Sequence, residues 1–528
     1  MVGRCNRTRP SAGLSLDGGC TMSVPGRVGS TAGNPRDTRG GLRLRSLVAL
    51  VAAGLILGGC AGFTPDGGLS VAADYAALEL RKDIVKGSAD GPAPTAEAQA
   101  DLLLHRTLTA DTAVQVALLK NRGLQAAFND LGVAEAQYVQ ATLPPSPRLA
   151  ITQWGLGFNT DIERSVAGSL LELATLPARA GIARERFGAD QYNAAEQVLR
   201  LAGEARRQFY RTVAANQATA FLEQALASAG SAATLAKQLG ETGALNKLEQ
   251  ARELAFYSEL GVQLGKARVQ QRAERERLTR LLGLWGRETE FRLPNGLPPL
   301  PARLAAGGEI EAEAMRKRTD VQAARFELQS LVGRYGLNQA SGFVSVFDVG
   351  FANQYTRSRT PGAAADAAPM VDKKSLNGFT ADLTIPIYDF GTTAVQGARE
   401  AYLASANRLA ERAVNARSEV REAWQRYRGQ YDITRHYQAS VLPLRKTIQD
   451  QALLQYSGML IDVTTLIVDA RARILSNIQA IEARRDFWIA ATDLKAATVG
   501  GGFSGGGFGG EAAGGSPGTS LAVATPGG

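Results

Sequence analysis

Residues 379 to 391 read FTADLTIPIYDFG. Phe379, Ala381, Leu383, Ile385 and Ile387 alternate with Thr380, Asp382 and Thr384, the period of two that sends successive side chains to opposite faces of a strand. Pro386 sits at the end of the run, where a missing amide is tolerated. Beyond Gly391 the pattern changes. No proline occurs from Gly391 to Val441, which at 1.5 Å per residue allows a helix on the order of 75 Å long. Ala413, Ala416, Val420, Trp424, Tyr427 and Tyr431 follow steps of three and four, as in a coiled-coil seam. Pro443 is expected to interrupt this helix. A helix of that length must pack along others, and its stripe is read as a packing seam rather than a cofactor box.

Working outward, Phe343, Phe347, Val349 and Phe351 form a second alternating run just before. The same order of elements occurs earlier in the chain. Leu124-Gln125-Ala126-Ala127 recurs as Val321-Gln322-Ala323-Ala324, and at that shift Leu131 meets Leu328 and Tyr138 meets Tyr335. Ala183-Arg184-Glu185 matches Ala398-Arg399-Glu400, and Gly243-x-Leu245 matches Gly458-x-Leu460, at a shift longer by 18 residues. An extra loop in the second copy, Arg357 to Lys374, accounts for the difference. The body is therefore a tandem duplication, with each copy reading as helix, two strands and a long helical hairpin. In the first copy the strands are fainter: Leu149 and Ile151 begin one, and Val166, Gly168 and Leu170 share a face on another. Such strands suit a lipid-facing barrel with a wet lumen, and equally a half-buried sheet. Gly240 to Gly243 and Ser457-Gly458 mark the two hairpin tips.

The chain has 528 residues and a formal charge of +9. Residues 1 to 59 hold eight arginines against Asp17 and Asp37, a surplus of six that leaves three for all the rest. The basic excess belongs to the leader, so no nucleic-acid partner is expected. Arg36, Arg39, Arg43 and Arg45 precede a short apolar run, Ser46 to Gly59, that ends at Cys60. The run is too short to span a bilayer and reads as a signal-peptide core. Leu57-Gly58-Gly59-Cys60 resembles a lipobox, which makes Cys60 the expected lipidation site, and translation starts at Met1 or Met22. Ala61 in place of an aspartate weakly favours the outer membrane. The mature chain would retain no other cysteine, which excludes disulfides and thiolate metal sites. The division expected is a leader over 1–59, a lipidated spacer over 60–104, repeats over 105–300 and 301–498, and a disordered glycine-rich tail over 499–528.

With these elements in place, the chain resembles the TolC family of outer-membrane efflux channels. The Thr-Leu-Thr start and the asparagine closing the first helix stand as Thr107-Leu108-Thr109 and Asn121. The turn before the first strand stands as Leu143-Pro144-Pro145-Ser146-Pro147. The strand-to-helix passage stands as Ile385-Pro386-Ile387-Tyr388-Asp389-Phe390-Gly391, and the tip as Tyr456-Ser457-Gly458 with Ile461-Asp462-Val463. The resemblance covers about residues 105 to 498. It implies a mainly α chain with a small β part: long hairpins forming a trimeric periplasmic tunnel, and four strands per chain in a shared barrel. It also implies a homotrimer, a periplasmic adaptor and an inner-membrane transporter as partners, and an outer-membrane location. By position in the resemblance, Asp462 is the candidate for an acidic aperture ring, while Thr465 departs from the family's second acidic position. Asp462 equally fits a helix-start residue stabilised by the macrodipole.

No catalytic chemistry is expected. His105 and His436 lie far apart in sequence, and no phosphate loop occurs. Neither a cofactor nor a metal site is expected. Glu274 and Glu276 amid Arg272, Arg275 and Arg277 read as a solvated helix face. The other class of reading is a periplasmic adaptor or coiled-coil scaffold lipoprotein, which would show one hairpin flanked by small β-domains. The exported substrate is not written in these residues.

Overall fold

The duplication in sequence is a duplication of elements. The structure, a computed structural model, describes residues 62–87, 94–155, 159–243, 245–304, 307–360, 370–458 and 460–502. The leader, Cys60 and the tail beyond residue 502 lie outside the described residues. Ahead of the first repeat, α1 (Ser70–Tyr75) continues into one π-helical turn (Ala76–Leu80), and α2 (Pro94–Leu104) follows. The spacer is thus helical in part, because Leu69, Ala72 and Ala76 are buried in the main core.

The first repeat runs α3 (Ala110–Lys120), α4 (Arg122–Thr142), β1 (Arg148–Trp154), β2 (Thr160–Ser169), α5 (Leu170–Glu241) and α6 (Lys247–Leu282). The second runs α7 (Ile310–Lys317), α8 (Thr319–Ser341), β3 (Val346–Thr360), β4 (Met370–Thr384), α9 (Thr392–His436), α10 (Leu442–Ser457) and α11 (Val463–Val499). Thr109 caps α3, its Oγ1 accepting from the Thr112 amide at 3.2 Å. Asn121 caps α4 in the same way, accepting from the Leu124 amide at 3.0 Å, and donates its Nδ2 to the Leu281 carbonyl at 3.0 Å. Both capping residues satisfy amides that a helix start leaves without partners.

Helix α5 has 72 residues, about 110 Å at the standard rise, and its partner α6 has 36. Alanines at 194, 195, 202, 205 and 214 are buried along α5, letting neighbouring helices approach closely. In the second repeat Pro443 does not interrupt the helix as its sequence suggests. A π-helical segment, Tyr437–Val441, joins α9 to α10, so the helical run extends from Thr392 to Ser457. The wider turn takes up the proline's missing amide and relieves the ring clash. Proline is also carried inside α5, at Pro177.

The main core gathers α1, α3, α4, the middle of α5 and the end of α6, around Phe128, Phe209, Leu278 and Leu282. A second cluster lies toward the tips, where Leu222, Phe256, Leu260 and Leu264 meet Val463 and Ile467 of the other hairpin. No helix among the described residues is long and apolar enough to cross a membrane.

Candidate functional site

The four strands form one antiparallel sheet in the order β1-β2-β3-β4. Its register fixes which side chains share a face. Leu149 pairs with Val166, Val166 with Phe351, and Phe351 with Phe379. On that front face Phe347 pairs with Leu383 and Val349 with Ala381. The Phe351 and Phe379 rings meet edge to face at 5.7 Å. This apolar face is open: Phe379 is 87% exposed and Ile151 77%. The back face is mostly small and polar, with Ala150, Thr152, Ser165, Ala167, Gly350, Ala352, Gly378 and Thr380, though Trp154, Val346, Leu376 and Met370 also lie on it. It also carries Asp161, Glu163, Asp348, Asp372 and Asp382. Among the described residues, β1 and β4 pair on one side only, so the sheet has two unpaired edges and no helix over its apolar face.

The passage from β4 to α9 is held by its own backbone. Gly391 has φ +76, and a Cβ there would lie 2.1 Å from the Gly342 carbonyl oxygen, so only glycine fits. Asp389 accepts from the Gly391 amide at 3.1 Å and from the Thr393 hydroxyl. These bonds, that of Thr393 foremost, hold the Asp389 carboxyl below its ordinary pKa. Tyr388, beside it, is 99% exposed.

At the far end of the helices lie the two tips. Gly243, beyond the end of α5, has φ +77 and open space around it, whereas Gly458 at the end of α10 has φ −84. Asn246 caps α6 by accepting from the Glu249 amide at 2.8 Å. Asp462 occupies the matching place on α11: it is exposed and accepts from the Thr465 amide at 3.0 Å and its hydroxyl at 2.6 Å. Above the tips Arg471 of α11 donates to Glu259 of α6 at 2.8 Å, with its guanidinium 5.2 Å from the Phe256 ring centre.

Buried polar contacts tie the helices together within and between the repeats. Arg207 of α5 donates to Asp493 of α11 at 3.0 Å, with both side chains under 10% exposed. Burial pushes the Asp493 carboxyl pKa up, and Arg207 draws it back in part. Arg318, at the start of α8, donates to Asp320 at 2.7 Å, to Glu419 of α9 at 2.6 Å and to the Ala497 carbonyl of α11 at 3.2 Å. Burial works against its charge, but the two carboxylates outweigh this and raise its pKa. Glu274 corrects the solvated-face reading: it is buried, accepting from Gln208 Nε2 of α5 at 2.6 Å and from Arg277 at 2.9 Å. Arg275 turns inward as well, lying 4.3 Å over the Phe291 ring. Asp493 and Gln208 lie far from Arg207 and Glu274 in sequence, so local charge patterning gives no sign of those contacts, whereas Glu274 with Arg277 is an i,i+3 pair that it does show.

The structure therefore places one sheet with an open apolar face at one end of two helical hairpins and brings both tips to the other. An adaptor's single hairpin between small β-domains is not what the described residues show. No family model and no curated protein matches the sequence. Solved structures do match. A membrane protein from Pseudomonas aeruginosa superposes with a TM-score of 0.63 over 74% of this chain and 93% of its own, at 18% identity. The CmeC outer membrane channel of Campylobacter jejuni gives 0.61 over 79% and 89%, at 14% identity. The outer membrane protein VceC of Vibrio cholerae gives 0.60 over 75% and 96%, also at 14%. The chain has the TolC-like fold of outer-membrane channels. At these identities the likeness is one of fold, and it extends over about nine-tenths or more of each matched chain.

Proposed function

We propose that this chain is the outer-membrane channel subunit of a tripartite efflux or type I secretion assembly, a passive conduit from periplasm to exterior. The observation that carries the reading is the sheet: an exposed apolar face, a polar back face and two unpaired edges, set at the end of helices about 100 Å long. An open edge is not tolerated in lipid, because its amides and carbonyls find no partners there. Closure with two further copies removes every edge, turns the apolar face to lipid and encloses the polar one. The helices then continue the barrel as a periplasmic tunnel. A periplasmic adaptor engages the hairpins, an inner-membrane transporter supplies the energy, and lipid on Cys60 anchors the chain to the outer membrane. The subunit itself performs no catalysis.

At the tip, Asp462 from three copies would face one aperture and favour cations there. The side chain is exposed at the tip, which this reading requires, while its cap on α11 is the helix-start role that the sequence equally allows. The test is conductance of the purified mature protein in a planar bilayer. Discrete, cation-preferring openings are expected, with Asp462→Ala reducing the preference. Unchanged selectivity in a conducting Asp462→Ala channel would remove Asp462 from the aperture. A protein that stays monomeric, and stays silent even when Arg471→Ser frees the tips, would overturn the channel reading.

A further inference from the structure

The two strand pairs differ in length: β1 and β2 have 7 and 10 residues, while β3 and β4 have 15 each. The β2–β3 ladder ends at Thr160 opposite Arg357, whereas β3 and β4 continue pairing to Thr360 opposite Met370. The extension is the root of the 18-residue surplus in the second repeat, and it lies at the end of the sheet away from the helices. Read outward along the front face, the rows change character in order. After the apolar rows come Asn353 opposite Asn377, joined at 2.7 Å, then Tyr355 opposite Ser375, then Arg357 opposite Lys373, then Arg359 opposite Val371. Arg164 lies on the same face, in the Asn353 row.

The charges are sorted by face. Arg164, Arg357, Arg359 and Lys373 share the front face, and no carboxylate of the described strands accompanies them. All five strand carboxylates lie on the back face, mixed there with Arg148 and Lys374. A rim that served solubility alone would mix signs on both faces, as the back face does. From Phe347, the innermost of the apolar rows, to Arg357 is ten residues, roughly 33 Å of strand and about 25 Å of depth at the usual barrel tilt, the height of the apolar band of such a barrel. That distance puts the outer cations at the level of lipid headgroups. Long basic side chains reach that level with their stems still on apolar surface.

We propose that Arg357, Arg359 and Lys373, with Arg164 beneath, form a lipid-facing basic crown that binds the phosphate groups of outer-leaflet glycolipid. The inference rests on the outer-membrane channel reading. The guanidinium fork matches phosphate oxygens in paired, charge-assisted bonds. Three copies would repeat the crown around the barrel, ringing its outer rim with sites for anionic lipid.

The test uses the full mature protein in phosphatidylcholine nanodiscs that carry a minor fraction of diphosphorylated lipid A or of its dephosphorylated form. Lipid retained after detergent extraction is counted by native mass spectrometry. The wild type is expected to keep the phosphorylated form by about tenfold over the other, and to lose that preference as sodium chloride is raised to about 0.5 M. Arg357→Gln/Arg359→Gln/Lys373→Gln is expected to abolish it, while Lys374→Gln, equally far out but on the other face, leaves it intact. Should the triple variant fail to assemble, Arg359→Gln and Lys373→Gln singly are each expected to lower the preference severalfold. A conducting wild type with no preference, or a loss as large in Lys374→Gln, overturns the crown alone. Protein that never enters the bilayer overturns the channel reading and the crown with it.

Discussion

The two repeats follow one plan with unequal execution. In the first, α5 runs 72 residues without a change of helical type, and the strands before it are short. In the second, the strands reach 15 residues, and the long helix passes through a π-helical segment just before Pro443. The tips differ too. Gly243 occupies the left-handed region and Asn246 caps the return helix; Gly458 does not, and Asp462 caps with a charge. Conventional geometry is thus concentrated in the first copy. The second carries the additions: an extended strand pair, a local defect in its long helix and an acidic residue at its tip.

This contrast is open to direct attack. The largest effect is expected where the copies are joined. Asp493→Ala leaves Arg207 buried without its partner, and thermal unfolding followed by circular dichroism is expected to show a loss of about 3–5 kcal/mol. Little change in the melting temperature would mean that the repeats are held together elsewhere. Next comes proline tolerance. Ser228 stands in α5 where Pro443 stands in the second copy, at the shift that pairs Gly243 with Gly458. Ser228→Pro is expected to cost about 3 kcal/mol, but Pro443→Ala to change stability by under about 1 kcal/mol, because the π turn has already relieved the strain. Equal effects would show that the segment is not an adaptation to proline. At the tips, Gly243→Ala is expected to cost about 1 kcal/mol through its positive φ, with Gly458→Ala close to neutral.

The smallest effect concerns pH. Asp389 is held below the usual carboxylate value of 3.8, so its contribution to stability is present above that pH and is lost as pH falls through the lowered value. The matching position in the first repeat is Ala174. Hydrogen exchange is therefore expected to accelerate below about pH 3.8 in a peptide covering 385–395 and to stay level in one covering 170–180.

Much of this was legible in sequence, because the signals were local. Alternation at Phe379 to Leu383 marked β4, and the glycines at 243 and 458 coincide with the helix ends. The short β1 and β2 gave weaker signals, since Ala150, Ala167 and Gly168 offer little contrast between faces. Pro443 was misread because its accommodation depends on a backbone adjustment in residues that carry no mark of it. The buried pair of Arg207 and Asp493 is separated by 286 positions, and no periodicity joins residues so distant. Charge sorting on the sheet could be read only once the register was known, because a one-residue slip exchanges the faces.

The unpaired edges of the sheet bear on how such a subunit reaches maturity. A lone copy with its strands formed would present two ladders of open amides and carbonyls beside an apolar surface, a template for adhesion to whatever strand came first. On the proposed channel reading, strand formation must wait for companion copies. The yield of finished channel would then depend steeply on how many chains are present together, and the solitary folded subunit would be the species for quality control to remove.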